Sequence, residues 1–153
     1  MKIVMPLVAA LALLISPANA QTLRPTLDYA SAAKIRDNCL AWASEHKIKV
    51  AIAIFDSGGN LIAFAHMDGA PIAVAAFAQW KGKSAAMVQE TSAETAKWGG
   101  TAPIIANWGG GIPILTTEGV ALGGVGTSGG EVPEDIACGT AGIMAAGLKT
   151  KSP

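Results

Sequence analysis

The stretch Asp56-Ser57-Gly58-Gly59-Asn60 constrains the fold more than any other part of the chain. It separates residues 47–55, rich in β-branched side chains, from the apolar run at 61–66. Glycine tolerates positive φ, so this turn between two strand-forming runs predicts a β-hairpin. A lone hairpin is marginal in water and needs more strands or a packed helix. The chain offers both. Ile35, Cys39, Trp42 and His46 are spaced four, three and four, which predicts a helix over 27–45 with those residues on one face. Thr26 is the expected N-cap, with Asp28 in the first turn where the helix dipole favours an anion.

Pro71 opens the next helix, since its missing N–H costs nothing in a first turn, and that helix should reach about residue 89. Thr91 or Ser92 can cap a short helix ending near Lys97. Residues 112–115 and 120–125 are strand candidates across a turn at 116–119. A last helix starts near Glu131, with Pro133, Glu134 and Asp135 in its first turn, and runs to about residue 148. The expected class is α+β, a central antiparallel sheet flanked by helices in a profilin-like sandwich. Residues 21–153 are too few for two domains and form one.

Residues 1–20 carry a different signal. Lys2 precedes an apolar run at 3–15, broken only by Pro6, and Ala18-Asn19-Ala20 gives a small-residue cleavage box. The run is short of the ~20 residues that span a bilayer, so a cleaved signal peptide is expected and no membrane association after cleavage. The mature protein is then secreted or periplasmic. Disulfides persist in such compartments. Cys39 and Cys138 both fall in expected helices. They are either two buried thiols or, if those helices pack side by side, a bridge.

Charge narrows the function. Eleven basic residues balance eleven acidic ones, so no basic excess exists to meet nucleic-acid phosphates. Only 14% of residues are charged and 51% are hydrophobic, the reverse of a disordered composition. So few charges also favour apolar surface left over for a homo-oligomer. Two histidines and two cysteines without close pairing exclude a four-ligand structural zinc site.

Gly124-Val125-Gly126-Thr127-Ser128-Gly129 matches G-x-G-x-x-G between a strand and a helix. A dinucleotide fold also needs a second parallel strand and an acid about 20 residues on. One helix consumes the residues after Gly130, and Lys149 and Lys151 stand where the acid should be. There remains a row of backbone N–H groups at a helix start that can hold a carboxylate or phosphate, opposed by Glu131, Glu134 and Asp135. Ala96-Lys97-Trp98-Gly99-Gly100 is echoed by Ala106-Asn107-Trp108-Gly109-Gly110. This is either a surface loop with tucked tryptophans or an aromatic wall over a pocket.

Several motifs in order resemble the GlcG/HbpS family, which also occurs as the C-terminal domain of PduO-type corrinoid adenosyltransferases. They are residues 50–64, then Met67-Asp68-Gly69-Ala70-Pro71, then Lys83-Ser84-Ala85-Ala86 as a K-x-x-A stretch. Gly111-Ile112-Pro113-Ile114, residues 123–130 and Glu134-Asp135 complete the set, covering about 27–148. The resemblance implies a central antiparallel sheet, homo-oligomers and a haem-binding role. Two features depart from it: His66 stands where arginine is expected, and the paired Trp-Gly-Gly segments are unfamiliar.

Haem iron takes His, Met, Cys or Tyr. The candidates are His46, on the helix face of Trp42, and His66, beside Met67 at a strand end. Each also has a plain role, His46 as a helix-end residue and His66 as a turn residue. The expected site is therefore His46 and His66 on the metal, with Trp42, Gly126, Thr127, Ser128 and Gly129 around the cofactor. The other reading is a small enzyme, or an accessory subunit of one, that takes a small organic acid in the glycine-rich pocket. No nucleophile elbow surrounds Ser128, so the residues assign no reaction.

Overall fold

A computed structural model describes residues 22–99 and 102–151. The expected signal peptide lies outside the described residues. Four strands form one antiparallel sheet in the order β2-β1-β4-β3: β1 Ala51–Asp56, β2 Leu61–His66, β3 Gly111–Leu115 and β4 Ala121–Ser128. Helices α1 (Tyr29–Glu45) and α4 (Val132–Ala145) cover one face, and α2 (Val74–Val88) covers the other. The short α3 (Ser92–Thr95) and a single 3-10 turn at Ala96–Trp98 follow α2. This is the α+β sandwich that the sequence predicts.

The central strand β1 is covered on both sides. Ile52 and Ile54 join Ile35, Cys39, Val125, Cys138 and Ile143 in the larger core, under α1 and α4. Ala51, Ala53 and Phe55 join Val74, Ala78 and Ala86 in the smaller one, under α2. The small side chains on that second face let α2 lie close to the sheet. A Cβ on Gly82 would fall 2.7 Å from the Gly126 nitrogen and 2.9 Å from the Ala53 carbonyl oxygen. Only glycine fits at that spacing, because real Cβ atoms do not approach so near.

Helix α1 begins two residues later than expected. Asp28 is its N-cap and accepts a 2.7 Å hydrogen bond from the Ser31 amide, so Thr26 is not the cap. Leu27 and Ala32 are buried in the same core, the hydrophobic staple that sets the entry of such a helix. The helix ends in a Schellman motif. Lys47 takes φ 59°, its amide donates to Ser44, and the Ile48 amide donates to Ala43. Of residues 47–50, expected as strand, Lys47 and Ile48 are spent on this closure, and β1 starts at Ala51.

Helix α2 likewise starts at Val74, because residues 71–73 form a turn, and it stops with Gln89 in the left-handed region. Thr91 caps α3 by accepting from the Glu94 amide. Glu131 and Glu134 form a capping box at the start of α4.

Cys39 and Cys138 form a disulfide between α1 and α4, with Cα atoms 4.7 Å apart. Gly142 allows this close approach: a Cβ there would overlap the Ile35 carbonyl. Of the two readings open for the cysteines, the bridge is the one the fold adopts.

Candidate functional site

His46 is the C-cap of α1. Its Nδ1 lies 2.8 Å from the Trp42 carbonyl oxygen, and its ring stacks on the Trp42 indole at 3.7 Å between centroids. A carbonyl only accepts, so Nδ1 carries the proton and Nε2 carries the lone pair. A backbone carbonyl holding one ring N–H is the usual second partner of a metal-ligating histidine. The ring is exposed. The predicted helix face changes character along its length. Ile35 and Cys39 are fully buried in the core, and Ala43 continues that stripe. Trp42 is half-buried and His46 stands outside. A flat ligand at this end meets Trp42 and His46, not Ile35 and Cys39.

His66 ends β2 and is exposed. Its Nε2 lies 3.2 Å from the Pro71 carbonyl oxygen, so Nε2 donates and Nδ1 keeps the lone pair. His66 pairs with Ala51, whose side chain faces α2. Directly paired residues share a face. His66 is therefore on the α2 side of the sheet, whereas α1 and His46 belong to the other.

The glycine-rich stretch is interior. Strand β4 runs through it to Ser128, past the expected end at residue 125, because it pairs with β1 along its length. Gly126, Thr127 and Ser128 are buried. A Cβ on Gly126 would overlap the Ala78 carbonyl of α2, so this glycine serves helix–sheet packing. Thr127 points to the opposite layer, 3.9 Å from Cys39 Sγ. Gly129 is exposed at φ 138° and lies against the backbone of Lys49 and Val50. The amides expected to hold an anion are occupied by the chain itself. Gly130 donates to Asp135 Oδ1 at 3.0 Å and Glu131 to Glu134 Oε2 at 2.8 Å. α2 fills the space expected for a glycine-lined pocket.

One cluster centres on a residue that the sequence does not single out. Lys81, on α2, is fully buried. Its Nζ donates to Asp135 Oδ2 at 3.0 Å, to the Thr127 carbonyl at 3.1 Å and to Ser128 Oγ at 3.2 Å. Those three bonds use every N–H of the ammonium. Burial pushes the Asp135 carboxyl up, and the Lys81 charge opposes the shift. The Trp108 ring closes over Lys81, 5.1 Å from Nζ, and leans on Phe77. The second Trp-Gly-Gly segment thus covers a buried ion pair.

Hydroxyls fasten the rest of that loop. Ser84 accepts from the Ala106 amide, Ser92 donates to the Trp108 carbonyl and accepts from the Gly111 amide, and Thr95 donates to the Ala106 carbonyl. Trp80 Nε1 donates to the Pro103 carbonyl at 3.1 Å. Ser128 lies behind this cover at 3% exposure, so the cluster presents no nucleophile to solvent. The signal for Lys81 is its place in the stripe Val74, Ala78, Lys81, Gly82, Ala85, where a cation interrupts a helical apolar face. Lys83, the lysine of the K-x-x-A stretch, is exposed.

Known proteins share this architecture. The structure of a PduOC:heme complex superimposes with a TM-score of 0.76 at 20% identity, over 84% of this chain and 100% of that one. Klebsiella pneumoniae protein ORFY, of family DUF336, gives 0.76 at 24% identity, over 86% and 98%. HbpS gives 0.75 at 24% identity, over 84% and 96%. No curated protein matches the chain. Residues 27–144 match the family described as "Haem degrading protein HbpS-like". The chain belongs to the HbpS-like family.

Proposed function

We propose that this chain is an exported haem-binding protein whose iron ligand is one of its two imidazoles. The observation that carries this reading is the state of the rings. His46 and His66 are both exposed, and each has one ring nitrogen bonded to a backbone carbonyl and the other without a partner among the described residues. A neutral imidazole with an anchored N–H is the donor that haem iron takes from a protein, so the residues present fit the group. Family membership and the haem complex of a structural neighbour support the same ligand.

When bound, the haem supplies the redox chemistry of its iron. The chain's own part is to orient an imidazole and to bury part of the porphyrin face. That burial gains about 25 cal/mol per Å².

Two further parts of the reading have their own support. The Cys39–Cys138 disulfide suits an oxidising compartment and so supports export, secreted or periplasmic, with cleavage after Ala20. Ile72 at 92% and Met144 at 66% exposure supply apolar surface for self-association. Light scattering of the mature protein tests that assembly, and a mass equal to one chain contradicts it.

Haemin titration tests the ligand. The expected result is a Soret band that shifts and saturates at one haemin per chain. A rise without saturation contradicts the proposal.

A further inference from the structure

Strand β2 is an edge strand with one face left open. α2 packs over β4, β1 and β3, while β2 receives α1 on its other side. The residues of β2 on the α2 side are the partners of Ala51, Ala53 and Phe55, namely His66, Phe64 and Leu61. Leu61 is 47% and Phe64 36% exposed. Beside them runs the flank of α2 formed by Ala75, Gln79, Lys83 and Met87, four residues apart and so on one line of the helix. Ala75 packs on the smaller core together with Met67, next to His66. The C-terminal end of that line is located against the hairpin turn. A Cβ on Gly59, in the hairpin turn, would sit 3.0 Å from Met87 Sδ and 3.5 Å from Lys83 Cε. The sheet face and the helix flank bound a trough, with an imidazole at one end and an ammonium toward the other.

We infer that haem lies in this trough, with His66 on the iron, Phe64 and Leu61 under the porphyrin, and Lys83 meeting a propionate carboxylate. The inference rests on the haem-binding reading above and selects between its two histidines. Two observations favour His66. It alone stands beside exposed apolar side chains on a sheet face, which is the surface a flat apolar ring needs. The His46 ring is already stacked on Trp42, with Glu45 and Lys47 as its exposed neighbours. A haem has one apolar plane and two carboxylates on one edge. An apolar floor with an exposed cation toward one end complements that pattern.

The test uses three probes on the mature protein: haemin, iron-free protoporphyrin IX and the dimethyl ester of protoporphyrin IX. His66→Ala should move the Soret band of the haemin complex and leave protoporphyrin affinity within about twofold. Lys83→Gln should weaken haemin and protoporphyrin IX by about three- to fivefold, the upper part of the range for a solvent-exposed ion pair, and leave the ester unchanged. Lys34→Gln, on exposed α1 surface, is the control and should change none of the three. His66→Ala and Lys83→Gln proteins that both match wild type overturn the inference. If His46→Ala then moves the Soret band, the haem reading stands and only the site fails. If wild type binds none of the probes, both fail.

Discussion

Lys81 Nζ lies 3.0 Å from Asp135 Oδ2, and neither side chain is more than 2% exposed. The pair joins α2 to α4 from opposite faces of the sheet, beside the end of β4. Truncating one partner strands the other charge in the interior. Asp135→Asn or Lys81→Met should each cost about 3–5 kcal/mol. The double variant Lys81→Met/Asp135→Asn should cost less than the sum, since it leaves no lone buried charge and Asn can still accept from Gly130. Urea denaturation measures all three. Strict additivity would show that the two groups do not depend on each other.

Acid should destabilise the fold partly through Asp56. Burial pushes its carboxyl up, but hydrogen bonds from the Asn60 side chain and from the Asn60, Gly58 and Gly59 amides outweigh burial and hold it below the ordinary value. A carboxyl lowered on folding stabilises above its unfolded pKa, and that stability is lost as pH falls through the folded value. Asp28, lowered chiefly by the Ser31 amide, has the same sign. Asp135, raised by burial, has the opposite one: its contribution is fully present below its unfolded pKa and is lost as pH rises through the folded value. Urea midpoints between about pH 7 and pH 2 should fall more steeply for wild type than for Asp56→Asn. Parallel profiles would remove Asp56 as a source of acid sensitivity.

The disulfide should be structural and slow to reduce. Both sulfurs belong to residues with no solvent exposure, and reduction needs access to one of them. Dithiothreitol should release thiols only when denaturant is present. Cys39→Ala/Cys138→Ala should lose about 2–5 kcal/mol. Rapid thiol release from the native protein would contradict the packing of α1 against α4.

The readable parts of the fold are those with local chemistry. The hairpin at residues 56–60 is legible because glycines and Asp56 make that turn on their own. The start of α1 is misplaced from sequence because Thr26, Asp28 and Pro25 lie within four residues, and the choice falls to Asp28 only with its bond from the Ser31 amide and the burial of Leu27 and Ala32 in one core. Gly126 invites a ligand reading because packing glycines and ligand glycines look alike in sequence; the difference is what stands opposite, here the Ala78 carbonyl. Lys81 is missed for a related reason. A lysine is ordinarily solvated, and its one tertiary carboxylate, Asp135, is 54 residues away. The histidines are legible as the whole imidazole inventory, but their faces are not, because the register His66–Ala51 exists only in the folded sheet.

Haem binding through an imidazole of this chain is checked by haemin difference spectroscopy on wild type, His46→Ala, His66→Ala and the double variant, once circular dichroism confirms the fold of each. At least one single variant, and the double variant, should move the Soret maximum while retaining part of the affinity, since the porphyrin face still gains from apolar burial. Identical Soret positions and affinities in all four proteins would show that neither histidine is a ligand and would contradict imidazole ligation.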